Sequence, residues 1–215
     1  MRKKVVAFVP LKFHSQRLAN KNILPLAGKP MCWYIFSQLI KCDYIDEIIA
    51  YCSDESIKKY IPDSITFLQR PANLDGDSVL GEQIYREFIN TVDADIYILA
   101  HATSPLISYK SIENSLKKVL FEHYDSAFSV KEAKTFVWYN KKPINYSPEK
   151  VVRTQDLESV YLETSAFFVF EKEVFTKYNR RIGFSPYMCV LNNMEAVDID
   201  TYEDYRLAEY YAENL

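Results

Sequence analysis

"VVAFVPLKFHSQRLANKNILPLAGKPMCWYIFSQLIKC", residues 5–42, decides the fold. It opens on an unbroken run of β-formers, Val5 to Val9, stopped by Pro10. A strand solvated on one face alternates apolar and polar residues. An unbroken run suits a strand covered on both faces, as in a parallel sheet between helices. A connection rich in cations and amides follows, and then "KPMCWYIFSQLIKC" (29–42) takes up helical spacing. Met31, Tyr34, Ile35, Gln38 and Leu39 fall within one arc. Strand, loop and helix in that order form the first half of a βαβ unit.

The same alternation runs outward along the chain. "IDEIIAYC" (45–52), "SITFLQ" (64–69), "ADIYILAH" (94–101) and "DSAFSV" (125–130) read as strands. Between them "DESIKKYI" (54–61), "DSVLGEQIYREFINTV" (77–92, led by Asp77 as its cap) and "SIENSLKKVLFEH" (111–123) read as helices. The expectation is an α/β fold with a mainly parallel sheet covered on both faces. At 131–165 the pattern changes to aromatic, lysine-rich sequence with two prolines, a hairpin or excursion rather than a βα unit. "SAFFVF" (165–170) returns as a strand, and "TYEDYRLAEYYAENL" (201–215) closes as an amphipathic helix. Residues 1–130 and 166–215 are thus expected to form the main domain, with 131–165 as its appendage.

The 215 residues suit such a body, and 48% hydrophobic with 26% charged residues predicts a packed core. Net charge −3 argues against nucleic acid as a partner, whose binding surfaces are broadly basic. The apolar run behind the basic N-terminus is shorter than a signal-peptide core, and no stretch approaches the roughly 18 apolar residues of a membrane span. A cytoplasmic protein without a membrane partner is expected. Cys32, Cys42, Cys52 and Cys189 form no CxxC pair, so buried free thiols are expected rather than a zinc site or disulfides.

In parallel sheets, ligands bind beyond the carboxyl ends of the strands. The first such loop holds neither GxGxxG nor a GxxxxGK[ST] motif, and the chain has only four glycines. Backbone amides therefore cannot wrap phosphates in the glycine-rich manner. Lys12, Arg17 and Lys21 can neutralise them instead, through charge-assisted hydrogen bonds; a merely solvated cationic loop is the alternative. Near the other end, Asp198 and Asp200 in "VDID" stand two residues apart. On an extended chain both side chains share a face, which suits Mg²⁺ beside a nucleotide. Alternatively, Asp200 with Glu203 caps the last helix.

"LKFHSQRLANKNILPLAGKPM" (11–31) resembles the opening signature of the CMP-sugar synthetases. These are the acylneuraminate, pseudaminate and legionaminate cytidylyltransferases, with the Kdo cytidylyltransferases as cousins. It keeps Ser15, Arg17, Lys21, Asn22, Ile23, Gly28, Lys29 and Pro30 of that pattern. It departs at Lys12, usually Arg; at Phe13 and His14, where glycines are common; and at Gln16, often Lys. "CSDESI" (52–57), "RPANLDGDSV" (70–79), "HATSPL" (101–106), "RTQDLESVYLETSAFFVF" (153–170) and "VDID" (197–200) are similar to further family motifs in the same order. His101 replaces a family Gln, and Thr164-Ser165 replace Asn-Gly.

The resemblance implies a Rossmann-like three-layer nucleotidyltransferase fold with a protruding dimerisation hairpin, hence a homodimer. It implies an enzyme that joins CMP from CTP to a 2-keto sugar acid and releases pyrophosphate. Lys12, Ser15, Arg17, Lys21, Asn22 and Arg70 would meet the nucleotide, with Lys12, Arg17 and Lys21 catalytic. His101, Thr103, Ser104, Arg153 and Gln155 would meet the sugar, and Asp198 and Asp200 would hold Mg²⁺. Bland roles stand beside these: a turn for Asn22, a surface position for Arg70, a structural imidazole for His101, an ion pair with Asp156 or Glu158 for Arg153. The alternatives are a nucleotidyltransferase using another NTP and a sugar phosphate, and a catalytically silent nucleotide-binding homologue.

Overall fold

The computed structural model describes residues 2–13 and 18–214. Its centre is a seven-stranded sheet. β1 (Val5–Pro10) pairs in parallel with β4 (Glu47–Cys52) on one side and with β6 (Ile96–Ala100) on the other. β5 (Thr66–Gln69) extends the sheet beyond β4, again in parallel. On the far side of β6 lie β10 (Val160–Glu171), β7 (Ser126–Ala133) and β11 (Pro186–Leu191). β10 runs antiparallel to both its neighbours, and β11 is parallel to β7. A mainly parallel sheet, as the sequence predicts, is therefore present with one reversed strand.

The unbroken apolar run of β1 is buried on both faces for the expected reason. Val5, Ala7 and Val9 face α1 (Met31–Leu39) and α3 (Tyr109–Phe121). Val6 and Phe8 face α2 (Gly81–Thr91) and α4 (Lys172–Tyr178). The rings of Phe8 and Phe88 stack with centroids 4.0 Å apart. A third cluster packs α5 (Tyr202–Glu213) through Ala208 against Leu26, Met31, Val197 and Ile199. The buried stripe of α1 is Met31, Cys32, Ile35, Phe36 and Leu39, so Cys32 and Phe36 replace the expected Tyr34 and Gln38, which are half-buried. All four cysteines are free and buried, and burial pushes the Cys32 and Cys42 thiols up to about 12.

Several boundaries differ from the sequence reading. Residues 55–60 form a 3₁₀ helix rather than an α-helix. α2 starts at Gly81, with Leu80 as its N-cap, not at Asp77; the Gln83 side chain accepts from the Leu80 backbone at 2.8 Å. The β7–β10 ladder continues through Lys131–Ala133 and Val160–Glu163, so the sheet reaches into the segment expected to leave it. Beyond that ladder, residues 134–159 form an excursion with a two-residue hairpin, β8 (Trp138–Tyr139) and β9 (Lys142–Pro143). A second small hairpin, β2 (Pro25–Leu26) and β3 (Lys29–Pro30), leads into α1. It turns through Ala27 at φ 42° and Gly28 at φ 82°. Glycine takes that second angle without steric cost. No helix among the described residues is long and apolar enough to cross a membrane.

Candidate active site

The chain leaves β1 outward to β4 and β5, then returns to lay β6 on the other side of β1. The gap beyond the carboxyl ends of β1 and β6 is thus the point where strand order reverses, where open α/β sheets bind ligands. A cavity of about 360 Å³ lies there, lined by Pro10 to Lys12 at and just beyond the end of β1 and by His101 to Thr103 just beyond β6. Lys21, Asn22, Arg70 and Asp77 complete its polar lining. Of the residues expected to meet a nucleotide, Lys12, Lys21, Asn22 and Arg70 therefore share one cavity. Ser15 and Arg17 lie outside the described residues.

Each cation is anchored by a carboxylate. Lys12 Nζ is 3.0 Å from Asp77, which spans the cavity mouth instead of capping α2. Arg70 is nearly buried, and its Nη2 lies 2.6 Å from Asp75. Asp75 also accepts the Ser53 hydroxyl, while Arg70 Nε is buried without a hydrogen-bond partner among the described residues. Lys21 Nζ donates to the Ile199 carbonyl at 2.8 Å and to Asp200 at 3.0 Å. Asn22 is buried on the short 3₁₀ turn Lys21–Ile23 and donates from Nδ2 to the Lys12 carbonyl at 2.8 Å, fixing the loop.

The acidic pair lies against this cluster. Residues 197–200 join no sheet and alternate between buried and half-buried; the Ile199 N–H donates to Thr103 O at 2.8 Å. Val197 and Ile199 point into the core, so Asp198 and Asp200 alternate outward on the half-buried side. Burial raises the Asp198 pKa first; the Thr103 hydroxyl opposes this, and the Asp200 charge adds to it. Asp198 Oδ1 is buried with no hydrogen-bond partner among the described residues. The last helix is capped by Thr201 and Asp204 in a reciprocal box, not by Asp200 and Glu203. Asp204 also receives the Asp200 backbone N–H at 3.1 Å.

His101 is enclosed. Its Nδ1 lies 2.5 Å from the Ser165 carbonyl, and Nε2 lies 3.5 Å from the Tyr85 hydroxyl. The first contact assigns the proton to Nδ1, leaving Nε2 as acceptor. Its pKa is lowered to about 4: burial is the largest cause, the hydrogen bond to the Ser165 carbonyl opposes it, and the charges of Arg181 and Lys21 add to the lowering. The Ser165 carbonyl reaches the ring because Ser165 sits at φ 57°, where β10 bulges between Glu163 and Phe168. Thr103 lines the cavity; Ser104 is buried beneath it, its hydroxyl unpartnered among the described residues. Arg153 and Gln155 stand exposed on the excursion and do not line the cavity. Arg153 pairs with Asp156 at 2.7 and 3.2 Å, the ion pair weighed for it above.

Sequence reasoning passed over Asp75 and Tyr85. Asp75 follows Arg70 by five residues across a short 3₁₀ turn, so no periodicity connects them. Tyr85 reads as an ordinary core position of an amphipathic helix.

A family model described as "Cytidylyltransferase" matches residues 6–214. An N-acylneuraminate cytidylyltransferase of Streptococcus agalactiae serotype III is 23% identical over 94% of this chain but 52% of its own length. The chain thus spans about half the length of the first curated relatives it matches. A pseudaminic acid cytidylyltransferase of Campylobacter jejuni is 23% identical over 96% of this chain and 95% of its own. Among solved structures, a CMP:2-keto-3-deoxy-manno-octonic acid synthetase complexed with CTP superposes with a TM-score of 0.75 at 17% identity. It covers 99% of this chain and 100% of its own. With the family model spanning all but the ends, this chain belongs to the cytidylyltransferase family.

Proposed function

We propose that the protein transfers CMP from CTP to a 2-keto sugar acid of the nonulosonic type and releases pyrophosphate. The observation that carries this reading is the convergence at the switch point. Lys12, Lys21 and Arg70 line one cavity, and Lys21 links it to the Asp198/Asp200 pair. Family membership supports CTP as donor, and the names of the relatives support a sugar acid as acceptor.

The anomeric hydroxyl of the acceptor attacks the α-phosphorus. An oxygen–phosphorus bond forms, the bond to the β-phosphate bridging oxygen breaks, and the hydroxyl proton passes to solvent. Phosphoryl chemistry of this kind asks the protein for positioning and charge stabilisation. Lys12 and Lys21 neutralise the triphosphate, Asn22 and Arg70 hold the nucleoside side, and Ser15 and Arg17 belong to the same stretch of sequence. Asp198 and Asp200 fit Mg²⁺, since an unpartnered buried carboxylate oxygen beside a second carboxylate suits a hard cation. Bound there, the cation would supply charge for the α-phosphate and the leaving group. Thr103 lines the acceptor end of the cavity, with Ser104 buried behind it. Arg153 and Gln155 reach the acceptor from a second copy of the chain, through a dimer built on the excursion. Trp138, Tyr139, Tyr161 and Leu162 are exposed in and beside the excursion and fit such a contact. A CTP-consuming reaction of this kind belongs in the cytoplasm.

The test is pyrophosphate release from CTP with Mg²⁺ and a panel of nonulosonic acids and 3-deoxy-manno-octulosonate. Turnover is expected with at least one acid, with loss on chelation, and with GTP ineffective in place of CTP. Silence across the panel would sink the reading.

A further inference from the structure

His101 lines the first cavity together with Thr103, and its ring is held from outside that cavity. A second cavity of about 540 Å³ opens there, with Gly81, Glu82, Tyr85, Arg180 and Arg181 in its wall. Arg181 hydrogen-bonds the Tyr85 hydroxyl. A guanidinium only donates, so the hydroxyl accepts from it and keeps its own proton for His101 Nε2, 3.5 Å away. His101 Nδ1 donates in turn to the Ser165 carbonyl at 2.5 Å. The hydrogen bonds thus run one way, from Arg181 to Tyr85 to His101 to Ser165, and they admit one tautomer.

Each member of the series is itself fixed. The Arg181 guanidinium lies over the Phe168 ring, its carbon 3.9 Å from the centroid, and its Nη2 is 3.0 Å from Glu163. Phe168 also meets the His101 ring edge to face at 6.2 Å, so one ring supports both ends. The Tyr85 ring stands edge-on to Phe8. Gly81, the first residue of α2, is one of only four glycines in the chain. A Cβ there would lie 2.8 Å from the Tyr85 hydroxyl, and the backbone at Gly81 is not left-handed. The hydroxyl, not the backbone, therefore calls for glycine. Glu82 and Arg180 are engaged elsewhere, with Asn179 and with the Gly183 carbonyl.

We propose that Tyr85 and Arg181 are positioning residues for CMP transfer: they hold the His101 ring still as its Nδ1–H tautomer, so that the acceptor meets a wall of fixed shape with no spare donor. The inference rests on the CMP-transfer reading. An attacking hydroxyl must reach phosphorus in a narrow range of geometries, and a wall that swings costs rate. A charged imidazole in that wall would draw phosphate or carboxylate oxygens out of line. The charged and titratable groups around the ring are Tyr85 of α2, Arg181 past α4 with Glu163 of β10 beside it, and Lys21 from the first cavity. Both cations favour the neutral ring.

The experiment joins imidazole nitrogen-15 NMR to acceptor kinetics. In the wild type at pH 7, His101 is expected to carry its proton on Nδ1, with Nε2 bare and hydrogen-bonded. Tyr85→Phe is expected to shift the Nε2 signal towards that of an unbonded nitrogen. In Arg181→Gln the ring is expected to take up its proton at higher pH than in wild type, since a neighbouring positive charge is gone. Kinetics use the acid that the wild type turns over best among N-acetylneuraminate, pseudaminate and 3-deoxy-manno-octulosonate. In Tyr85→Phe, acceptor kcat/KM is expected to fall about tenfold or more, with KM for CTP within about twofold of wild type. Gly81→Ala pushes the hydroxyl aside and serves if the Phe variant does not fold. It is expected to melt no lower than wild type, because alanine favours a helix, yet to lose acceptor kcat/KM about threefold or more. A proton found on Nε2 in the wild type overturns this inference whatever the activity. So does wild-type acceptor kcat/KM in both variants, or an equal loss in the CTP and acceptor terms; each leaves CMP transfer standing. A wild type silent on all three acids overturns both.

Discussion

Lys21 joins two parts of the chain that are 179 residues apart, through Asp200 and the carbonyl of Ile199. Its side chain is 12% exposed, so its charge meets a ligand with little water in between. In Lys21→Ala, turnover is expected to fall about 100-fold or more, the scale of losing one fixed charge at a reacting phosphate. The melting free energy is expected to drop by only about 1–2 kcal/mol, from one part-buried partnership. Pyrophosphate assay and thermal melting check the two halves.

His101 gives a second outcome at the scale of one residue. Its pKa is pushed down to about 4, while the unfolded chain titrates near 6.5. As pH falls, the unfolded chain takes the proton first. The imidazole's contribution to stability is therefore whole above about pH 6.5 and is lost progressively down to about pH 4. The full gap amounts to roughly 3 kcal/mol. Urea melts from pH 7 to 4.5 are expected to weaken more steeply in wild type than in His101→Gln. The charged and amide residues of the opening loop were legible because charge shows in sequence. The conformation of Ser165 was not, because nothing in "ETSAFF" marks a left-handed serine.

Among the elements, β1 shows how directly composition becomes architecture: an apolar run without alternation can only be satisfied by helices on both faces. Its contact with α2 is the stack of Phe8 on Phe88, with Tyr51 and Tyr97 edge-on to the Phe88 ring. Phe88→Ala empties that aromatic centre, and a loss of about 3–5 kcal/mol is expected in denaturant unfolding. CTP binding by the folded variant is expected to persist, because Phe88 does not line the cavity. Two of the longer elements escaped the reading. β11 exposes Met188 and Val190 on a sheet edge, so it shows no clean alternation of apolar and polar residues. α4 spans seven residues, too few for a helical period to declare itself.

At the scale of the whole molecule, the exposed aromatics of the excursion bear on assembly. Light scattering at micromolar concentration is expected to give twice the 25.2 kDa chain mass. Trp138→Glu combined with Leu162→Glu is expected to give the single-chain mass, with the far-ultraviolet spectrum unchanged. A single-chain mass for the unaltered protein would remove the excursion's proposed role. The mainly parallel sheet was legible because βα alternation repeats up to residue 130. The depth to which the β7–β10 ladder enters the excursion was not, since hydrogen-bonded pairing leaves no mark in "KEA" or "VYLE".

The reversed strand also governs how the protein is made. β7 has no partner until β10 and β11 exist, and one edge of β6 stays bare until residue 160 has been synthesised. A nascent chain thus carries unpaired strand edges across about a quarter of its synthesis, the condition under which β-rich intermediates self-associate. The closing strand must then insert between two strands already made, an event of long sequence separation and therefore a slow one.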